Sequence, residues 1–105
     1  MINTLKKFFG LTPKADYAGL LSTGGLILDV RSRGEYEDGH VTGSLNVPLD
    51  QLGDQLKKLN DKTQPIITCC ASGMRSAAAK RFLKAQGYTQ VYNGGSWMSL
   101  RKFGK

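Results

Sequence analysis

No acidic side chain follows Asp61. All eight carboxylates lie between Asp16 and Asp61, and from Lys62 to Lys105 there are eight basic residues and no acid. With a net charge of +7, the second half of the chain presents a positive field that attracts small anions. Its basic residues Lys80, Arg81 and Lys84 form no long run and accompany no binding motif, so a nucleic-acid partner is not expected. Cysteine is scarce too: Cys69 and Cys70 are the two in the chain, and they are neighbours. Adjacent cysteines cannot cross-link distant segments, which excludes a disulfide scaffold and points to a reducing compartment. No apolar run approaches the ~18 residues of a membrane span, so no integral membrane segment is expected. The stretch Met1 to Gly10 lacks a long apolar core and a small-residue cleavage pattern, so no signal peptide is expected and a cytoplasmic location follows. Internal repeats and low-complexity segments are absent as well.

What remains is the composition of one globular domain. The 105 residues are 40% hydrophobic and 22% charged, enough to bury roughly two thirds of the extended-chain surface in a single core. Residues 1–14 read as an N-terminal arm and residues 15–105 as the domain. In the arm, Leu5, Phe8 and Phe9 sit at helical spacing beside Lys6 and Lys7. It is too short to bind a membrane surface strongly and is expected to pack on the domain or fray. In the domain, Asp16 to Leu21 reads as a short helix, Leu26 to Val30 as a buried strand, Arg33 to Asp38 as one or two helical turns and Ser44 to Val47 as a short strand. Leu49, Leu52, Leu56 and Leu59 predict a helix over 49–59, weakened by Gly53. Ile66 to Cys69 reads as a strand. A helix follows with Ser76 as its N-cap, Ala77, Ala78, Ala79, Phe82 and Leu83 on its apolar face, and Gly87 at its end. Gln90 to Asn93 predicts a last strand, Gly94-Gly95 a turn out of it, and Ser96 to Phe103 a terminal helix. Strands alternating with helices make this an α/β domain with a largely parallel sheet.

The chemistry concentrates in Cys69-Cys70-Ala71-Ser72-Gly73-Met74-Arg75-Ser76, which leaves a buried strand, passes a short glycine-containing loop and enters a helix. Ligands of open α/β sheets bind at the carboxyl ends of strands. A helix start offers unpaired amides and partial positive charge, which stabilise a thiolate. Arg75 adds a full charge, and the loop amides can cradle an anion. Such a thiolate suits two reactions: attack on the outer sulfur of a donor, leaving a persulfide, or attack on phosphorus or arsenic. Counted from Cys70 the spacing is Cys-x4-Arg; counted from Cys69 it is Cys-x5-Arg-Ser, the longer loop of a phosphatase. Thr68 stands where the phosphatase signature usually has His, and Cys69 extends the preceding strand, so Cys70 is the expected nucleophile and Cys69 a packed strand residue.

Three blocks in order resemble a rhodanese-homology domain. The first is Leu28-Asp29-Val30-Arg31, Glu35-Tyr36, Gly39-His40-Val41-Thr42-Gly43-Ser44 and Asn46-Val47-Pro48. The second is Cys70-Ala71-Ser72-Gly73-Met74-Arg75-Ser76-Ala77. The third is Gly87-Tyr88, Val91-Tyr92-Asn93-Gly94-Gly95 and Trp97. The resemblance covers Asp16 to Leu100. It implies a five-stranded, mainly parallel sheet flanked by helices on both faces. It also implies a single-domain sulfurtransferase in which Cys70 carries sulfur as a persulfide. The loop from Cys70 to Arg75 has the length similar to sulfurtransferases rather than to the related phosphatases. On this reading Ala71, Ser72, Gly73, Met74, Arg75 and Ser76 form the substrate-binding and anion-binding loop, with Met74 at its mouth and Arg75 orienting the donor. Asp29 and Arg31 form a supporting contact at the end of the first long strand. Glu35 pairs with a local base, His40 serves loop architecture, and Trp97 belongs to the core. The donor would be thiosulfate or a persulfide, a small anionic sulfur compound, and the acceptor cyanide, a thiol or a protein cysteine. No metal and no organic cofactor is required, because the covalent intermediate carries the sulfur. Two rival readings stay open: a cysteine-dependent phosphatase or arsenate reductase, and a non-catalytic sulfur carrier or partner-binding module.

Overall fold

The computed structural model describes residues 15–104. The arm at Leu5 to Phe9 lies outside the described residues. Four strands form one parallel sheet: β1 (Leu26–Asp29), β2 (Leu45–Asn46), β3 (Ile66–Cys70) and β4 (Val91–Ser96), in the spatial order β2-β1-β3-β4. Three α-helices connect and flank them: α1 (Tyr17–Ser22), α2 (Arg33–Asp38) and α3 (Met74–Ala85). Two 3-10 segments, Leu49–Leu59 and Trp97–Phe103, complete the order. The sheet is α/β in class and parallel, as the alternation of strands and helices requires. It has four strands among the described residues, one fewer than the resemblance implies.

Burial on both faces explains the continuous apolar runs of β1 and β3. Side chains of a strand alternate between faces, and the core divides accordingly. Leu28, Ile66 and Cys70 face one layer with Ala79 and Leu83 of α3. Ile27, Ile67 and Cys69 face the other with Val41 and Leu100. The two cysteines therefore point in opposite directions.

Three elements differ from the sequence reading. The leucines of 49–59 are spaced three, four and three apart, and the segment is two short 3-10 helices joined at a kink rather than one α-helix. At three residues per turn Leu49 and Leu52 eclipse, as do Leu56 and Leu59. The four-residue step between the pairs is absorbed at Gln55, whose backbone (φ −119°, ψ 22°) is not helical. Helix α3 begins at Met74, with Gly73 in the N-cap position at φ 103°, so Ser76 lies inside the first turn and is buried. Strand β4 does not turn out at Gly94-Gly95; it runs on to Ser96, with its register against β3 shifting between Thr68 and Cys70. A Cβ at Gly94 would lie 2.8 Å from Ile67 Cγ2 and from Leu100 Cδ1, and 2.9 Å from the Thr68 carbonyl oxygen. Only glycine lets β4 approach β3 this closely at the carboxyl edge, beside the cysteines.

Candidate functional site

Cys70 ends β3 and faces α3. Its Sγ accepts hydrogen bonds from the amides of Gly73 (2.9 Å) and Ser76 (3.4 Å), and its thiol donates to Ser76 Oγ at 3.5 Å. The left-handed conformation of Gly73 turns its amide back onto the sulfur. An L side chain there would be strained, because its Cβ crowds the backbone. Burial opposes ionisation of Cys70. The Ser76 hydroxyl and amide and the amides of Gly73 and Ser72 outweigh it and hold the thiol below its ordinary value. The residue is 0% exposed, and it lies just under the turn, since Ala71 and Ser72 are exposed and Met74 is 80% exposed.

Behind the sulfur stands a network that sequence reasoning missed. The Ser76 hydroxyl donates to Asn93 Oδ1 at 2.6 Å and lies 3.1 Å from the Gly73 carbonyl. Asn93 Nδ2 donates to that same carbonyl at 3.3 Å, and its Oδ1 also accepts from the Gly95 amide at 2.9 Å. One hydroxyl proton can thus turn to the sulfur when Cys70 ionises, because Gly95 still satisfies Asn93. Thr68 Oγ1 donates to the Ser76 carbonyl at 2.9 Å and ties the first turn of α3 to β3. The available signal was a lone polar residue, Asn93, before the paired glycines of the last strand.

Cys69 is in a different setting. It is buried in the opposite layer, and desolvation, aided by the nearby Asp29 carboxylate, pushes its thiol up to about 12.

Arg75 turns its guanidinium to a carboxylate. It forms a bidentate pair with Glu35, Nη1 to Oε1 at 2.7 Å and Nη2 to Oε2 at 3.0 Å, with each side chain 38% exposed. Glu35 Oε1 also accepts from the Ser32 amide and hydroxyl, both at 3.0 Å, closing a capping box at the start of α2. The partner of Glu35 is therefore distant in sequence rather than local. The Arg75 guanidinium, with help from Ser32, lowers the Glu35 carboxyl to about 2.

The corner beneath is built by Asp29 and Arg31. Arg31 Nε and Nη2 bind the Asp29 carboxylate at 2.7 to 3.1 Å, Nη2 reaches the Gly39 carbonyl at 2.7 Å, and Asn46 Nδ2 caps the carbonyls of both residues. Trp97 packs against the second core layer, and its ring stacks under the Arg31 guanidinium at 4.5 Å. His40 Nδ1 meets the Tyr36 carbonyl at 2.7 Å and its ring stacks on Tyr36, so it belongs to the loop rather than to the thiol. Among the described residues no group of three or more His, Cys, Asp or Glu could hold a metal ion, and no helix is long and apolar enough to cross a membrane.

The strand end at Cys70, the bend over residues 71–73 and the helix start at Met74 gather amides around one sulfur, and a sequence profile of the rhodanese-like domain matches residues 14–98. The chain belongs to the rhodanese-like domain family. Among curated relatives, the thiosulfate sulfurtransferase PspE of Escherichia coli is 35% identical over 69 residues, covering 65% of this chain and 66% of that protein. The putative sulfur carrier protein YrkF of Bacillus subtilis is 40% identical over 67 residues, covering 64% of this chain and 36% of that protein. The chain thus spans only part of the length of these relatives. Among solved structures, a human single-domain sulfurtransferase superposes with a TM-score of 0.69 at 26% identity, covering 79% of this chain and 86% of that one.

Proposed function

We propose that this rhodanese-like domain is a sulfurtransferase that carries sulfane sulfur on Cys70. The observation that carries the reading is the pair of amide contacts from Gly73 and Ser76 to Sγ. A donor in the amide cradle meets a thiolate held in place, and the attack transfers one sulfur. With thiosulfate, Cys70–S⁻ bonds to the outer sulfur, the donor S–S bond breaks, and sulfite leaves. Cyanide or a thiol then takes the terminal sulfur and restores the thiolate. The helix start and loop amides stabilise the negative charge on the thiolate and then on the persulfide. Because Cys70 is fully buried, the site must open for the donor to reach Sγ. The reaction needs no metal and no organic cofactor, because the covalent intermediate carries the sulfur. The acceptor is a small nucleophile or the thiol of another protein, and a reducing, cytoplasmic setting suits a free thiolate.

Phosphoryl transfer from Cys69 is disfavoured, since that thiol faces the other layer and is pushed up to about 12. Sulfur carriage without small-molecule turnover is the reading favoured by the likeness to a putative sulfur carrier. Thiosulfate:cyanide transfer, aryl phosphate hydrolysis and intact mass separate the three. Cys70→Ser is expected to abolish sulfur transfer and the gain of one sulfur in mass, and Cys69→Ser to retain both. Transfer that survives in Cys70→Ser would overturn the proposal. A one-sulfur gain without turnover identifies a carrier.

A further inference from the structure

We propose that Asn93 is a positioning residue for Cys70: its carboxamide holds the Ser76 hydroxyl proton away from the sulfur and releases it only to the thiolate. Asn93 thereby opposes ionisation of Cys70 and keeps the thiolate a strong nucleophile. The inference deepens the sulfur-transfer reading above and rests on it for the consequence in the reaction.

The direction of the hydrogen bonds is fixed from the far end of the network. Asn93 Oδ1 accepts from the Gly95 amide at 2.9 Å, and Nδ2 donates to the Gly73 carbonyl at 3.3 Å. An N–H faces one side of the carboxamide and a carbonyl the other, so its oxygen and nitrogen cannot be exchanged. Oδ1 therefore accepts at its 2.6 Å contact with Ser76 Oγ, and the Ser76 hydroxyl donates. Its single proton is then committed. Ser76 Oγ meets Cys70 Sγ at 3.5 Å as an acceptor, which favours the protonated thiol over the thiolate. The rival acceptor for the hydroxyl is the Gly73 carbonyl. It lies farther off, at 3.1 Å, and already takes the Ala77 amide and Asn93 Nδ2.

Ionisation of Cys70 reverses one bond. The thiol proton leaves to solvent, Sγ carries the charge, and the Ser76 hydroxyl rotates from Asn93 to Sγ. The Gly95 amide stays on Oδ1, so Asn93 keeps a partner. Attack on a donor turns the hydroxyl back. The Sγ lone pair forms the new S–S bond, the pair of the broken donor bond leaves with the departing group, and the hydroxyl returns to Oδ1. A hydroxyl with no second acceptor would stay on the thiolate, stabilise it before the reaction and slow its attack. The charged and titratable groups around the cradle are committed elsewhere. Arg75 of α3 is held by Glu35 of α2, and Asp29 and Arg31 beside β1 bind one another. Cys69 of β3 and Tyr92 of β4, the partner of Ile67, point into the other layer.

The test is the rate of Cys70 alkylation by iodoacetamide against pH, followed by intact mass. Wild type is compared with Asn93→Leu, Asn93→Asp, Ser76→Ala and the double variant Ser76→Ala/Asn93→Leu. Asn93 is exposed, and leucine has the shape of the carboxamide without its oxygen, so the fold is kept. Asn93→Leu should move the midpoint to lower pH by about fivefold in the dissociation constant, the worth of one hydrogen bond. Its rate at high pH should fall about twofold, because nucleophilicity falls with the basicity of the thiolate. Asn93→Asp, a stronger acceptor, should move the midpoint to higher pH. Without the Ser76 hydroxyl, leucine at position 93 should move nothing. A residue that merely braced the loop amides would give the opposite sign, since loosened amides raise the midpoint in either background. A midpoint that rises or stays in Asn93→Leu, or an equal shift with and without the Ser76 hydroxyl, overturns the inference and leaves sulfur transfer standing. The infrared S–H band that wild type loses on alkylation reads the same bond without a variant. Below the midpoint it should lie at the lowered frequency of a donating thiol, and a free-thiol frequency overturns the inference too. Absence of a one-sulfur mass gain on wild-type Cys70 with thiosulfate overturns the sulfur-transfer reading instead, and the alkylation profile still decides the role of Asn93.

Discussion

Cys69 and Cys70 are chemically identical and adjacent, yet one is pushed up to about 12 and the other is held below its ordinary value. The cause is strand alternation. Cys69 turns into a layer where, among the described residues, no hydrogen bond reaches its sulfur and burial outweighs the nearby Arg31, and Cys70 turns toward the amides that begin α3. Ser76 is the side chain through which this can be tested. Its hydroxyl is shared among Cys70, Gly73 and Asn93, and Ser76→Ala removes it while Gly95 still satisfies Asn93. The pH profile of Cys70 alkylation should then shift to higher pH. Near neutral pH the rate should fall about fivefold, the worth of one hydrogen bond of roughly 1 kcal/mol. An unshifted profile in Ser76→Ala would mean that the amides alone hold the thiolate. The role of Ser76 was legible only in part. A serine near a helix start reads as an N-cap, and here the helix begins earlier because Gly73 must turn its amide onto the sulfur.

Between elements, close approach at the carboxyl edge of the sheet decides the geometry. Strand β4 touches β3 through Gly94, where even one methyl group meets Ile67, Leu100 and the Thr68 backbone inside 3 Å. Gly94→Ala should therefore cost about 2 to 3 kcal/mol by overpacking, read as a drop in the urea midpoint. It should also displace Asn93 and slow loading of Cys70. Retained stability would show that β4 can slide along β3. The paired glycines suggested a turn, because glycine is the commonest turn residue. The same residue also permits a strand to lie unusually near its neighbour, and local sequence does not distinguish the two uses. The 3-10 segment after β2 is a similar case: leucines three and four apart suit an α-helix as well, and only the docking of all four against the core selects tighter turns with a break at Gln55.

Across the molecule, one ion pair among the described residues joins the two halves of the chain. Glu35 belongs to the acid-bearing half and Arg75 to the purely basic half, forty positions apart, and their pair ties α2 to the start of α3. Its contribution to stability follows from the sign of the shift. The Glu35 carboxyl titrates at about 2 when folded against an ordinary value of 4.5, so its contribution is fully present above 4.5 and is lost as pH falls toward 2. Urea midpoints measured from neutral pH down to this window should fall more steeply for wild type than for Glu35→Gln. Parallel curves would show that the pair adds nothing to folding. The class of the fold, the parallel sheet and the count of residues from Cys70 to Arg75 were all legible in the sequence. Each depends on neighbours along the chain: apolar runs, glycine at turns, and the count from Cys70 to Arg75. The number of strands, the occupation of Arg75 by Glu35 and the proton shared through Ser76 and Asn93 were decided by tertiary structure alone. They depend on which distant residues the closed sheet brings within hydrogen-bond distance, and periodicity along one strand or helix carries no record of its partners.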